Sequence, residues 1–226
     1  MRIEHISDTH GFHNQLQLKG ADILIHTGDA TNYRDQYRNH NEFLNFFSWF
    51  RDISSNYFLT MFIPGNHDSY IFENESLVKK MFEDVGIEFM HKREVIVDGL
   101  KFYGDSIMPR FGDWCYMTDR SKTNKHWEQI PVDTNVLLTH TPPKGILDLS
   151  ERRDRTLEFC GDSALLKRVQ KLPELKAHLY GHIHDNNDCK NNGTISRDNV
   201  MFSNASCVVD GKFDKGIINH GNILTI

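Results

Sequence analysis

The chain is short of the features that mark several large protein classes. Its 226 residues include only 4 cysteines, and Cys115, Cys160, Cys189 and Cys207 form no Cys-x-x-Cys pair. Neither a zinc ribbon nor a dense disulfide framework is expected, and the four read as reduced, structural thiols. No apolar run approaches the ~20 residues of a membrane helix. The net charge is −5, so the basic face of a general nucleic-acid binder is missing. Repeats, linkers and low-complexity blocks are absent as well. The first predicted strand begins at Arg2 and leaves no room for a secretory leader, so a cytoplasmic protein is expected. What remains is a globular composition, 38% hydrophobic with 15 Phe, sufficient for a core without staples. One domain over residues 1–226 is expected; oligomeric state is not legible.

Short β-rich runs alternate with helical patterns. Residues 2–7 alternate at period two, and 22–26 is apolar through its middle, as a central strand is. Further strands are predicted over 57–63, 100–103, 136–138, 177–180, 200–202, 211–217 and 222–226. Early strands are spaced for crossover helices, and late ones follow closely, as antiparallel strands do. Phe43, Phe47 and Phe50, with Leu44, Trp49 and Ile53, predict a helix over 41–53 packed on a sheet. Leu77, Val78, Met81, Phe82 and Val85 predict a second. A third is capped within Gly161-Asp162-Ser163 and runs to Leu172 before Pro173.

Five motifs follow apolar runs in order: Asp8-Thr9-His10-Gly11, Gly28-Asp29, Gly65-Asn66-His67-Asp68, Thr139-His140-Thr141-Pro142-Pro143 and Gly181-His182-Ile183-His184. They supply three carboxylates, one amide oxygen and five imidazoles. Such a set suits two divalent cations, and a two-metal site is a device for attacking phosphorus. If strand geometry continues through each motif, Asp8 and His10 aim at one point, and so do His182 and His184. Gly11, Gly28, Gly65 and Gly181 permit close backbone beside the ions. Asp29 can bridge two cations through its two oxygens, and Asn66 offers a neutral ligand. Gly104-Asp105 repeats one pair and reads as a strand ending in a turn. No cysteine lies in a motif, so the ligands are nitrogen and oxygen only, which fits Mn, Fe, Ni or Zn.

The series resembles the calcineurin-like metallophosphoesterase superfamily from motif one to motif five, residues 2–184. The surrounding text is similar to its small, single-domain, cyclic-nucleotide-phosphodiesterase-like branch, which includes metallophosphoesterase-domain proteins of animals. Asp22-Ile23-Leu24-Ile25-His26-Thr27-Gly28-Asp29, Leu137-Leu138 before motif four, and Asn204-Ala205-Ser206 extend the likeness over nearly the whole chain. The resemblance implies an α/β fold, two mixed β-sheets packed as a sandwich flanked by helices in four α/β/β/α layers. It implies that Asp8, His10, Asp29 and His184 hold a first metal. Asp29 would be shared, and Asn66, His140 and His182 would complete a second. His67 would stand beside the metals with Asp68 orienting it. Thr141 departs from relatives that carry Gly there and narrows the space beside the ions.

The expected activity is a dinuclear-metal phosphoesterase hydrolysing cyclic nucleotides or similar small diesters, with a metal-bridging hydroxide attacking phosphorus. His67 would protonate or stabilise the leaving oxygen. The runner-up is a phosphomonoesterase; a DNA nuclease and a catalytically silent binding scaffold rank lower. The expected partner is a small phosphoester, with neither general nucleic-acid binding nor a membrane. Among the other histidines, His5, His26 and His178 are expected to be packed inside strands. His40, His91, His126 and His220 are expected at the surface, and His13 at the mouth of the site.

Overall fold

Alternating and fully apolar strands need a partner surface on each buried face, and the chain provides one through two facing sheets. The computed structural model describes residues 1–152, 154–186, 188–210, 212 and 215–226. Along the chain come β1 (Arg2–Ile6), β2 (Ile23–His26), α1 (Gln36–Ser54), β3 (Leu59–Phe62), α2 (Ser69–Glu73), α3 (Glu75–Glu83) and β4 (Ile87–Phe89). The middle holds β5 (Arg93–Val97), β6 (Leu100–Asp105), β7 (Met108–Pro109), β8 (Met117–Thr118), α4 (Thr123–Trp127) and β9 (Val136–Thr139). Then follow β10 (Leu149–Glu151), β11 (Leu157–Phe159), α5 (Ser163–Val169), β12 (Ala177–Tyr180), β13 (Gly193–Arg197), β14 (Val200–Asn204) and β15 (Asn222–Thr225).

The first sheet has the order β15-β1-β2-β3-β4, parallel except for β15. The second has the order β13-β14-β12-β9-β6-β5, with four parallel strands between two antiparallel edges. Two short pairs, β7 with β8 and β10 with β11, lie outside them. Alternation sorts side chains between layers. Ile23 and Ile25 meet Val136, Leu138 and Leu179 between the sheets. Leu24 points outward onto Phe43, Phe46 and Phe50 of α1 and onto Phe82 of α3. Leu137 and Tyr180 point outward onto Trp127, Leu165 and Val169. Each large apolar side chain so buried contributes about 1.5–3 kcal/mol. The expected four-layer sandwich is observed.

Details shift for local reasons. The helix expected over 41–53 begins at Gln36, because Asp35 caps it by accepting a hydrogen bond from Arg38 N at 2.9 Å. Its inner stripe uses Phe43, Phe46 and Phe50, while Leu44 is exposed. Asp162 caps α5 through Ala164 N, and the helix stops at Val169 rather than Leu172. The β5–β6 and β13–β14 hairpins were not legible as such, although Asp98-Gly99 and Asp198-Asn199 both have φ > 0, as a type I′ turn requires. Of the strand expected over 211–217, Gly211, Phe213 and Asp214 lie outside the described residues, and the rest is not in a strand. All four cysteines are free thiols. Among the described residues no helix is long and apolar enough to cross a membrane.

Candidate metal centre

All five motifs lie just beyond the C-terminal ends of parallel strands, where the two sheets face each other across one edge. The loops after β1, β2 and β3 bring Asp8, His10, Asp29 and Asn66–Asp68, and those after β9 and β12 bring His140, His182 and His184. The backbone does not stay extended there. Asp8, His10, Asp29 and His182 have φ of 52°, 43°, 55° and 67°. Left-handed backbone costs such residues ~1–2 kcal/mol each. Backbone bonds from Asp8 N to Gly28 O and from His10 N to Asp29 O, at 2.8 and 3.0 Å, hold the first two loops in this shape. At Gly65 a Cβ would lie 2.3 Å from Asp29 Oδ1, and at Gly181 2.0 Å from Asp8 Oδ2, so only glycine fits.

The pincer expectation holds for Asp8 and His10, which share one group, and fails for the second pair. His182 and His184 go to different groups. Asp8, His10 and His184 form one, and Asp29, His140 and His182 another, each with one donor atom per residue within 4.8 Å of the others. In the first group His10 Nε2 lies 3.4 Å from His184 Nε2, which lies 3.0 Å from Asp8 Oδ1. In the second, His140 Nε2 lies 3.3 Å from Asp29 Oδ2 and 3.2 Å from Asn66 Oδ1. Donors bound to one cation at ~2.1 Å are separated by ~3.0–3.5 Å across octahedral or tetrahedral angles. The residues therefore fit a divalent cation in each group. Asp29 Oδ2 faces both, since it also lies 3.8 Å from His10 Nε2. Its Oδ1 accepts from His67 N at 2.7 Å.

The surroundings aim these donors. His140 Nδ1 donates to Thr27 O at 2.7 Å, which leaves Nε2 pointing inward as the atom a metal would take. His184 Nδ1 donates to Asp210 Oδ1 at 2.8 Å, and Ser206 Oγ donates to Asp8 Oδ2 at 2.9 Å. Burial holds His10 and His182 down at about 3, so both are neutral donors. Burial also opposes a charged His140, but the Asp29 carboxylate outweighs it and raises the ring to about 9. Asp8 and Asp210 likewise overcome burial at His184 and raise it to about 10. In the metal-free chain, protons on these two rings balance the Asp8 and Asp29 carboxylates, which are at most 2% exposed.

His67 is half-buried beside both groups. Its ring meets His10 edge-on at 4.8 Å and packs on Trp114 at 4.3 Å. Two expectations are corrected here. Asp68 does not orient the His67 ring, whose Nδ1 donates to Asn32 O at 3.1 Å. The Asp68 carboxylate instead accepts from Gly65 N, Asp29 N, Thr31 N and Thr31 Oγ1 at 2.7–3.0 Å and ties the second motif to the third. His13 does not line the mouth of the site. It is 1% exposed, bound to Asn45 Oδ1 at 2.7 Å and packed on Trp49 and Phe46, because the short turn after Gly11 rotates it onto α1.

His5, His26 and His178 are fully buried as expected, and burial lowers all three. His91 and His126 are not surface residues; their side chains are 8% and 14% exposed and both face Asp105. Sequence reasoning missed Asp210, Thr31, Asn39 and Trp114. Asn39 is fully buried in α1 and holds His67 O through Nδ2 at 2.8 Å. A lone Asn on the face of an otherwise aromatic stripe was the available signal. Trp114 and Asp210 lie outside every motif and carried none.

Known proteins resemble this chain in sequence and in fold. UPF0046 protein K07C11.7 of Caenorhabditis elegans is 29% identical over 220 residues, covering 91% of this chain and 69% of that protein. Human metallophosphoesterase domain-containing protein 1 is 28% identical over 228 residues, covering 91% and 66%. The chain thus spans about two thirds of the length of these relatives. The crystal structure of TT1561 of Thermus thermophilus shares the fold, with a TM-score of 0.58 at 14% identity over 91% of this chain and 90% of that one. A family model described as calcineurin-like phosphoesterase matches residues 1–186, which span all five motifs, and the chain belongs to that family.

Proposed function

We propose that this chain is a dinuclear-metal phosphodiesterase acting on small diesters. Asp29 carries the reading, because one of its oxygens faces two separate sets of buried nitrogen and oxygen donors. Asp8, His10, Asp29 and His184 would hold one cation, and Asp29, Asn66, His140 and His182 the other. Bound there, Mn, Fe, Ni or Zn ions would supply Lewis acidity and a hydroxide near neutral pH. His67 is placed to protonate or stabilise the departing oxygen, with its Nδ1 proton fixed on Asn32 O and Nε2 left for the substrate. Trp114 and the Asn39–Thr31 pair hold that ring and its backbone in place.

Two cavities favour a diester over a monoester. One of about 320 Å³ is lined by Asn66, His67 and Trp114, and one of about 520 Å³ by Thr141 and His182. A diester has two substituents on phosphorus, and each cavity can receive one. The purified chain should hydrolyse bis-p-nitrophenyl phosphate with added Mn²⁺, faster than p-nitrophenyl phosphate, and stop when a chelator is added. Activity that survives chelation, or none with any of the four metals, contradicts the reading. Faster monoester turnover would make it a phosphomonoesterase.

A further inference from the structure

The two cavities differ in charge. On the His67 side, Arg34 shares the cavity with Glu73 and Asp113, donates to Asp113 O at 3.3 Å and stacks on Trp114 with its guanidinium carbon 3.6 Å from the ring. On the His182 side, Arg120, Lys144 and Arg152 line the cavity with one carboxylate among the described residues, Glu158. Glu158 is taken up by an ion pair with Arg152. Among the described residues, neither Arg120 nor Lys144 is in any ion pair. Two cations without an ion-pair partner therefore line a concave space beside a metal-ligand candidate, with the buried Asp148 near Lys144, in a chain whose net charge is −5. Phe111 and Phe159 flank the same space, 52% and 49% exposed, and the Phe111 ring lies 5.3 Å from that of His182.

We propose that this cavity is a subsite for a second phosphate on the part of the substrate that stays attached to phosphorus, with Arg120 and Lys144 as its anion-binding residues. The inference rests on the phosphodiesterase reading. The leaving oxygen must sit at His67, so the retained substituent points toward His182. Unpaired cations there gain a charge-assisted hydrogen bond only from a substrate with a second anion, which makes them specificity-determining. Phe111 and Phe159 offer faces to a flat ring carried by the group that bears the second phosphate. The substrate class is a phosphodiester of a ring-bearing alcohol that carries a further phosphate.

The test compares the p-nitrophenyl ester of thymidine 5′-phosphate with the same ester bearing a 3′-phosphate, using the Mn²⁺-loaded chain. The extra phosphate should raise kcat/KM about tenfold, the scale of one hydrogen bond to a charged group. Arg120→Gln and Lys144→Gln should each cut that preference, and the double variant should bring it close to one. The preference, rather than the rate, is the readout, so a general loss of activity cannot imitate the result. No preference in the unaltered chain, or an unchanged preference in the double variant, overturns the proposal. Calorimetry separates the two readings by comparing binding of thymidine 3′,5′-bisphosphate with thymidine 5′-phosphate. If neither ester is hydrolysed but the bisphosphate binds more tightly through Arg120 and Lys144, the subsite stands and the phosphodiesterase reading falls. Equal binding of the two overturns the subsite whatever the turnover.

Discussion

Gly28-Asp29 and Gly104-Asp105 are the same dipeptide in the same kind of place, beside histidines at the C-terminal end of a parallel strand. Both carboxylates are buried. Asp105 even pairs in register with Thr139, one residue from His140. In both places a histidine Nε2 faces the acid, and the surroundings differ in what else converges there. His126 Nε2 donates to Asp105 Oδ2 at 2.6 Å, and Ile107 N donates to Oδ1 at 3.0 Å. His91 Nδ1 already accepts from Ser106 N, 3.2 Å away. Both Asp105 oxygens are thus taken by N–H donors. Around Asp29, Thr27 O takes the Nδ1 proton of His140, so Nε2 is the atom turned inward, toward Asn66 Oδ1 and the donors of His182. Counting carboxylates and imidazoles does not make a metal site; the convergence of several donor atoms does.

His67 and His126 sharpen that contrast through kinetics. His67→Ala should keep its metals and fold yet lose about 10²–10⁴-fold in turnover on a diester with a poor leaving group, the range for a general acid. The loss should be smaller with p-nitrophenolate, which departs without a proton. Equal losses on both would assign His67 to phosphoryl charge instead, and loss of metal would make it a ligand. His126→Ala should leave turnover intact and lower stability by ~1–3 kcal/mol in a denaturant titration, because Asp105 loses its partner.

Asp210 tests whether an outer partner aims His184. Asp210→Asn should weaken metal binding by about 10–100-fold, measured by competition with a chelator, while the melting temperature of the metal-free chain changes little. Unchanged affinity would leave the 2.8 Å contact without a role in metal binding.

Proton release is the mildest expected signature. His140 at about 9 and His184 at about 10 are protonated at neutral pH in the metal-free chain, and a metal requires both Nε2 atoms bare. Loading should therefore release protons near pH 7, and affinity should rise as pH climbs toward 9. Calorimetry in buffers of different ionisation enthalpy counts them. No release would mean the rings are already neutral and the carboxylates less exposed to charge than their burial implies.

The sandwich and six of the seven ligand candidates were legible because strands with full or alternating apolar faces announce themselves, and Asp and His just past them stand out. Asn66, a neutral side chain, stood out less and was read as a ligand from its place in the third motif. The pairing of His182 with His184 was misread because a strand period was extended into residues that turn left-handed. Asp68 and His13 were misassigned for a related reason: proximity in sequence was taken for contact, whereas short turns sent each toward another loop or helix. Asp210 and Trp114 reach the site from loops with no pattern of their own. Only the folded chain brings them together.

Metal content by elemental analysis, on the Mn²⁺-loaded chain beside Asp29→Asn and Asp105→Asn, tests the central claim most directly. The account predicts two ions per chain for the unaltered protein and for Asp105→Asn, and loss of metal from both positions in Asp29→Asn, because an amide bridges two cations poorly. Two ions retained in Asp29→Asn, or metal lost equally from Asp105→Asn, would contradict it.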